Sequence, residues 1–173
     1  VVLRKAAKVD ENFMNNIKEY IYDGKVQSAI HLCESKNTLT ARLIRKGLQN
    51  IGRPLTDIKS AIENVGSIEV ARLEKGLPVL ASIAGGAPMV GFLGTVLGMI
   101  KAFYNMSMAG NNIDITLLSE GIYIAMVTTV GGLIIGIPAY FAYNYLAARI
   151  GSIVNSMEKD TLDFLDLLQE PLK

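Results

Sequence analysis

Two long runs of residues without a charged side chain stand out from a chain that otherwise mixes apolar and polar residues at helical spacing. The runs are Gly76–Ile100, with 25 residues, and Gly121–Ala148, with 28 residues. At about 1.5 Å per residue, helices of these lengths cross a hydrocarbon core of about 30 Å. The alternative is a pair of buried helices in a soluble core, but so small a protein has little surface with which to wrap them. The pattern predicts a transmembrane hairpin over residues 76–148, with a short loop at about 105–116 that contains the turn-forming sequence Gly-Asn-Asn.

The segments on both sides of the hairpin have the spacing of amphipathic helices. In residues 1–75, apolar side chains such as Ile17 and Ile21 recur every four residues, and Thr38 or Thr40 is a candidate cap for a third helix. Residues 149–173 contain a further helix with one apolar face. We therefore expect an all-α membrane protein with a helical region over 1–75, the hairpin, and a C-terminal helix over 149–173.

The distribution of charge predicts an orientation. The chain has 17 Lys and Arg against 16 Asp and Glu, a near-neutral balance that argues against binding nucleic acid by bulk charge. Basic residues flank the hairpin at Arg72, Lys75 and Arg149, whereas only Lys101 lies near the loop. By the positive-inside rule, both termini of this chain are expected in the cytoplasm. Because Val1-Val2-Leu3 is followed by two basic residues, we also expect a further span upstream of Val1.

The residues that usually carry catalysis or bind metals are nearly absent. The single cysteine, Cys33, allows no disulfide, and His31 lies two residues away on a predicted helix, where the two side chains point apart. We expect both to be packing residues. The glycines of the first run match neither a dinucleotide-binding motif nor a P-loop. The sequence therefore predicts no enzyme, no metal site and no cofactor.

Small and hydroxylated residues are the informative ones inside the two runs. Small residues let membrane helices approach closely, and generic packing is the simplest interpretation of any one glycine. A threonine in such a helix commonly returns its hydroxyl to its own backbone, which is the alternative to a functional role here. At helical spacing, two faces carry small residues and one hydroxyl each: Gly91, Thr95, Gly98 and Ala102 on the first, and Ala125, Thr129, Gly132 and Gly136 on the second, with Gly94 and Thr128 beside them.

The two faces are candidates for the wall of a narrow passage around another helix. Neither uncharged run contains a carboxylate, and proton movement across a membrane normally needs an ionisable group. If protons pass here, a partner has to supply the titrating side chain.

These motifs resemble the ExbB/TolQ family, the channel subunits of proton-driven motors of the bacterial cell envelope. The similar stretches are APMVGFLGTVLGM and GIYIAMVTTVGGLIIGIPAYFAYN, within residues 71–155. The resemblance implies three spans and a homopentamer in the inner membrane around an ExbD/TolR-like single-span partner that carries the titrating aspartate. It also implies pore-facing roles for Thr95 and Thr129, with Thr128 assisting, and work delivered to a TonB- or TolA-like protein.

One position departs from the family pattern. Ile124 occupies a site where many members have glutamate, and the nearest carboxylate is Glu120, one helical turn earlier. Glu120 is either a residue of the outer channel mouth or a helix-start carboxylate favoured by the helix dipole. The leading hypothesis is a proton-channel subunit, and the alternative is a passive membrane scaffold. A secondary transporter is disfavoured because the chain has no inverted repeat.

Overall fold

The computed structural model describes residues 11–108 and 115–169, and within them every regular element is an α-helix. The all-α prediction is confirmed. The helices, in chain order, are α1 (Glu11–Tyr22), α2 (Val26–Lys36), α3 (Leu39–Leu48), α4 (Leu55–Glu74), α5 (Leu77–Met108) and α6 (Ile115–Gln169).

Contacts between residues divide the chain into two compact units. The first, called here the bundle unit, joins residues 1–75 and 148–173, and the second, the hairpin unit, is residues 76–147. The bundle unit therefore contains α1 to α4 and the C-terminal part of α6, whereas the hairpin unit contains α5 and the rest of α6.

Local signals in the sequence set the ends of the short helices. Gly24 has φ +70°, a left-handed conformation that glycine adopts without strain, and it follows the end of α1. Of the two candidate caps, Thr38 is the one that begins α3, because its hydroxyl accepts the backbone N–H of Ala41 at 3.2 Å. Thr40 lies inside the helix and donates to the carboxylate of Asp160 at 3.1 Å.

The core of the bundle unit consists of large apolar side chains that the amphipathic faces bring together. The fully buried ones include Ile17, Ile44, Ile62 and Phe164. Gly47 leaves room for the Phe164 ring, since a Cβ at Gly47 would lie 2.5 Å from that ring. The apolar spacing of α1, α3, α4 and the end of α6 thus produces one ordinary hydrophobic core.

The hairpin unit reverses this arrangement. Its large apolar side chains are exposed, with Met89 at 73%, Phe92 at 66% and Tyr145 at 70%. Both of its helices are long and apolar enough to cross a membrane, and only 11% of the most apolar window in each is buried. The core helix of a soluble protein would be mostly buried, so the exposure fits two helices surrounded by lipid or by other subunits.

Three details differ from the sequence-based expectations. Both ends of the predicted loop at about 105–116 are helical, because α5 continues to Met108 and α6 begins at Ile115; the predicted Gly-Asn-Asn turn lies outside the described residues. The predicted C-terminal helix over 149–173 is not separate: α6 is continuous from Ile115 to Gln169, because Ala147, Ala148 and Arg149 are good helix formers and provide no stop.

The third difference concerns His31. Its side chain is 71% exposed, so it is not a packing residue. Cys33 is only 2% exposed and does pack in the core. The two residues lie on different faces of α2 because residues two apart on a helix do not share a face.

Candidate functional site: a hydroxyl cluster between two apolar helices

The helices α5 and α6 approach each other through their small residues. A Cβ at Gly91 would lie 3.1 Å from the carbonyl oxygen of Thr128, and a Cβ at Gly132 would lie 2.6 Å from that of Ala87. A Cβ at Gly98 would lie 2.9 Å from the methyl group of Ala125. The two small faces that the sequence singled out therefore contact each other within this chain.

Pro88, the proline in the interior of α5, adds a fourth contact at one end of this interface. Pro88 has no N–H, so the carbonyl of Ala84 lacks its usual helical partner. A Cβ at Gly136 would lie 2.5 Å from the Pro88 ring and 3.4 Å from the Ala84 oxygen. Gly136 thus leaves room for the proline ring and for the carbonyl that the proline frees.

The contact between Gly121 and Ala102 extends the interface toward the end opposite Pro88. Gly121 was not among the residues selected from the sequence. Both residues are buried, and a Cβ at Gly121 would also lie 3.2 Å from the carbonyl oxygen of Gly98. The signal was available, because Gly121 precedes Ala125 by four residues and so continues the same small face.

At the centre of the interface, three hydroxyl groups surround two backbone carbonyls. The Thr95 and Thr129 hydroxyls form a short hydrogen bond with each other. Thr95 Oγ1 lies 3.2 Å from the Ala125 oxygen and 3.4 Å from the Gly91 oxygen, and Thr129 Oγ1 lies 3.3 Å from the Gly91 oxygen. Thr128 Oγ1 donates to the Ala125 oxygen at 2.8 Å. These five residues are called the hydroxyl cluster below.

The sequence left two interpretations open for these threonines, a hydrogen bond to their own helix or a functional contact outside it, and the hydroxyl cluster contains contacts of both kinds. Thr95 and Thr129 each lie near the carbonyl four residues earlier on their own helix, and each also reaches across to the other helix. Gly94 makes the third hydroxyl fit, since a Cβ there would lie 2.5 Å from Thr128 Oγ1. The pore-facing role of the three threonines stays a prediction.

The charged residues of the hairpin unit lie away from the hydroxyl cluster. Among the described residues of that unit they are Lys101 and Glu120, and both are exposed. Ile124, at the position of the family glutamate, is 40% exposed. No group of three or more His, Cys, Asp or Glu among the described residues is placed to hold a metal ion.

A buried carboxylate in the bundle unit was also missed by the sequence analysis. Glu69 is 5% exposed, and its two oxygens accept from Arg42 Nε at 3.1 Å and from a terminal nitrogen of Arg42 at 2.8 Å. Arg72 donates to the same carboxylate at 3.0 Å. Because Arg42 and Glu69 are 27 residues apart on different helices, no local sequence pattern predicts this ion pair. The bidentate geometry makes it a link between α3 and α4.

Burial shifts the pKa of two titratable groups of the bundle unit, Cys33 and Asp160. Burial raises the pKa of the Cys33 thiol to about 12, so the reactive thiolate is not formed near neutral pH. Burial also raises the pKa of the Asp160 carboxyl, against the opposing effect of the hydrogen bond from Thr40. Cys33 packs in the hydrophobic core and Asp160 accepts from Thr40, so both fit structural roles.

Comparison with known proteins gives one family and a consistent set of relatives. Residues 35–159 match the model of the MotA/TolQ/ExbB proton channel family. The chain is 29% identical to a biopolymer transport protein ExbB homolog of Methanothermobacter thermautotrophicus over 90% of this chain and 55% of that protein. It is 38% identical to the Tol-Pal system protein TolQ of Haemophilus influenzae over 57% of this chain and 41% of that protein.

A third relative is the biopolymer transport protein ExbB of Aquifex aeolicus, which is 36% identical over 58% of this chain and 68% of its own length. The chain thus spans about half the length of the relatives that it matches over most of its residues. The family match includes both helices of the hairpin unit and about half of the bundle unit.

Proposed function

The chain belongs to the MotA/TolQ/ExbB proton channel family, and from that membership we propose that it is the channel subunit of an inner-membrane motor driven by the proton motive force. The proposed assembly is a homopentamer around an ExbD- or TolR-like single-span partner. Movement of the partner delivers work to a TonB- or TolA-like protein. Both termini of this chain lie in the cytoplasm.

The observation that carries the proposal is the hydroxyl cluster. Hydroxyls from two helices meet within two long apolar segments that contain no carboxylate. Such a site is able to make hydrogen bonds to a protonatable group or to its water, but it has no proton carrier of its own. A channel wall built in this way needs a partner that brings the titrating carboxyl.

The test is a double substitution in the full-length protein, coexpressed with its single-span partner. We expect Thr95→Ala with Thr129→Ala to lower proton-dependent activity by about tenfold, because each of the two lost hydroxyls removes a hydrogen bond worth about 0.5–1.5 kcal/mol. Ser82→Ala is the matched control, since Ser82 is an exposed hydroxyl of α5 that donates only to its own helix, at the Pro78 oxygen, 2.9 Å away. Full activity of the double variant, with the assembly intact, contradicts the role of the threonines.

A passive membrane scaffold is the alternative, and one observation favours it. The two small faces contact each other, and the hydroxyls already have partners within the chain. A scaffold needs only that packing. It therefore predicts that the double threonine variant assembles and works normally, whereas a variant that separates the helices, such as Gly132→Ala, abolishes assembly.

A further inference from the structure

The hydroxyl cluster has a definite number of protons to donate and of lone pairs to receive them. Three threonine hydroxyls bring one proton each, and the carbonyls of Gly91 and Ala125 bring two lone pairs each. In the continuous helices, the N–H groups of Thr95 and Thr129 take one lone pair of each carbonyl. Two carbonyl lone pairs are therefore left for three hydroxyl protons.

The distances decide how these protons are shared. Thr128 has the shortest contact with the Ala125 oxygen, at 2.8 Å, and takes its remaining lone pair. Thr95 and Thr129 lie 3.4 Å and 3.3 Å from the Gly91 oxygen, which has room for one of them. The remaining hydroxyl donates to the other hydroxyl, with which it is in hydrogen-bond contact. All three protons are then used inside the chain.

What the cluster still offers is lone pairs on the hydroxyl oxygens. A carboxylate has only acceptors, so it gains a hydrogen bond here only if an internal one is broken. A protonated carboxyl brings a donor and binds without any loss. We propose that the hydroxyl cluster is a hydrogen-bond acceptor site for the protonated carboxyl group of the single-span partner, and that it rejects the carboxylate. This inference rests on the proposed function and specifies which protonation state the wall binds.

The charges around the cluster do not compensate a bound carboxylate. Of the charged side chains on the described parts of α5 and α6 in the hairpin unit, Lys101 is six residues from Thr95, about 9 Å along the helix axis. Glu120 is nine residues from Thr129, about 13 Å along the axis, and repels an anion. With no cation in contact and no free donor, an ionised carboxylate is disfavoured in this apolar interface.

Infrared spectroscopy of the full-length complex, with the partner's aspartate residues labelled with carbon-13, tests the proposal. A carboxyl C=O that accepts a hydrogen bond absorbs at a lower frequency than one that accepts none. We expect the protonated carboxyl to have a C=O band typical of a carbonyl without a donor. In Thr95→Val with Thr129→Val, that band stays in place, whereas the O–D stretch of the carboxyl moves to higher frequency because its acceptors are lost.

A second variant supplies the donor that the cluster lacks. Thr129→Asn brings an amide N–H₂ to the same place, and we expect it to lower the C=O frequency. It should also lower the proton affinity of the carboxyl about tenfold, since a hydrogen bond to an ionised group is worth about 1.5–3 kcal/mol. Ser82→Ala is again the control and should leave all three readouts unchanged.

The outcomes separate this inference from the proposed function. A C=O band that is low in the wild type and rises in the valine variant shows that the threonines donate to the carboxyl; the inference is then overturned and the channel function stands. An unchanged O–D band in the valine variant also overturns it. If an intact complex contains no partner carboxyl that titrates, the proposed function is contradicted, and this inference is contradicted with it.

Discussion

The bundle unit and the hairpin unit are both built from α-helices, but they bury opposite kinds of residue. The bundle unit buries Phe164 completely and places Gly47 against its ring. The hairpin unit leaves Phe92 66% exposed and buries Gly91, Gly98 and other small residues. In water, removal of large apolar side chains from solvent drives association, whereas in lipid that force is missing and close backbone packing takes its place.

The polar contacts of the two units follow the same difference. In the bundle unit, the buried Glu69 is paired with two arginines, whereas the centre of the hairpin interface has only neutral hydroxyls and carbonyls. Among the described residues, no buried side-chain nitrogen or oxygen lacks a hydrogen-bond partner; Glu69 is partnered by charged groups in the bundle unit, and the threonines are partnered by neutral groups in the hairpin unit.

The largest expected effect comes from truncating the same residue type in both units. Phe164→Ala should lower the free energy of unfolding by about 3–5 kcal/mol, because it removes a fully buried ring. Phe92→Ala, at an exposed position of α5, should change it by less than about 1 kcal/mol. Chemical denaturation of the detergent-solubilised protein measures both. Equal losses would show that the hairpin unit also depends on burial of large side chains.

The buried ion pair should give the next largest effect. Arg42→Met leaves Glu69 with Arg72 alone, and we expect a loss of about 2–3 kcal/mol in the free energy of unfolding. Arg45→Met is the control: its pair with Glu34 is half exposed and should contribute at most about 1 kcal/mol. If the two arginine variants are equally stable, the buried carboxylate does not link α3 to α4.

The smallest of the three effects concerns two adjacent glycines of the hairpin unit. Gly132→Ala places a methyl group 2.6 Å from the Ala87 oxygen, a backbone atom that cannot rotate away. We expect a loss of about 1–3 kcal/mol from overpacking. Gly131→Ala meets nothing within 4 Å and should be neutral or stabilising, since alanine favours helix. Thermal unfolding in detergent compares them, and a Gly131 variant as unstable as the Gly132 variant would contradict the packing argument.

Prediction of the fold from the sequence succeeded where the signal was local or periodic. The apolar runs predicted both membrane helices, and the four-residue spacing of Ile17 and Ile21 predicted the buried face of α1. It failed where a boundary had no local stop, as in α6, which is continuous past Ala148. It also failed for His31, because a lone histidine on a helix has no periodic partner that reveals its face.

The candidate site was predicted in its residues but not in its connections. The sequence selected Thr95, Thr128 and Thr129 as hydroxyls in an apolar environment. It did not reveal that two of them bond to each other, or that the Gly91 and Ala125 carbonyls lie between them, because backbone carbonyls are the same at every position and carry no sequence signal.

The sequence by itself determined the class of this protein: two helices too apolar for water, small residues at a four-residue interval, and no carboxylate inside either run. These follow from the side-chain chemistry and the helical period alone. The tertiary structure decided which small residues meet, that the two hydroxyl faces contact each other, and that Glu69 pairs with Arg42 and Arg72. These depend on how separate helices approach each other, and that distance is set by packing between residues far apart in the chain.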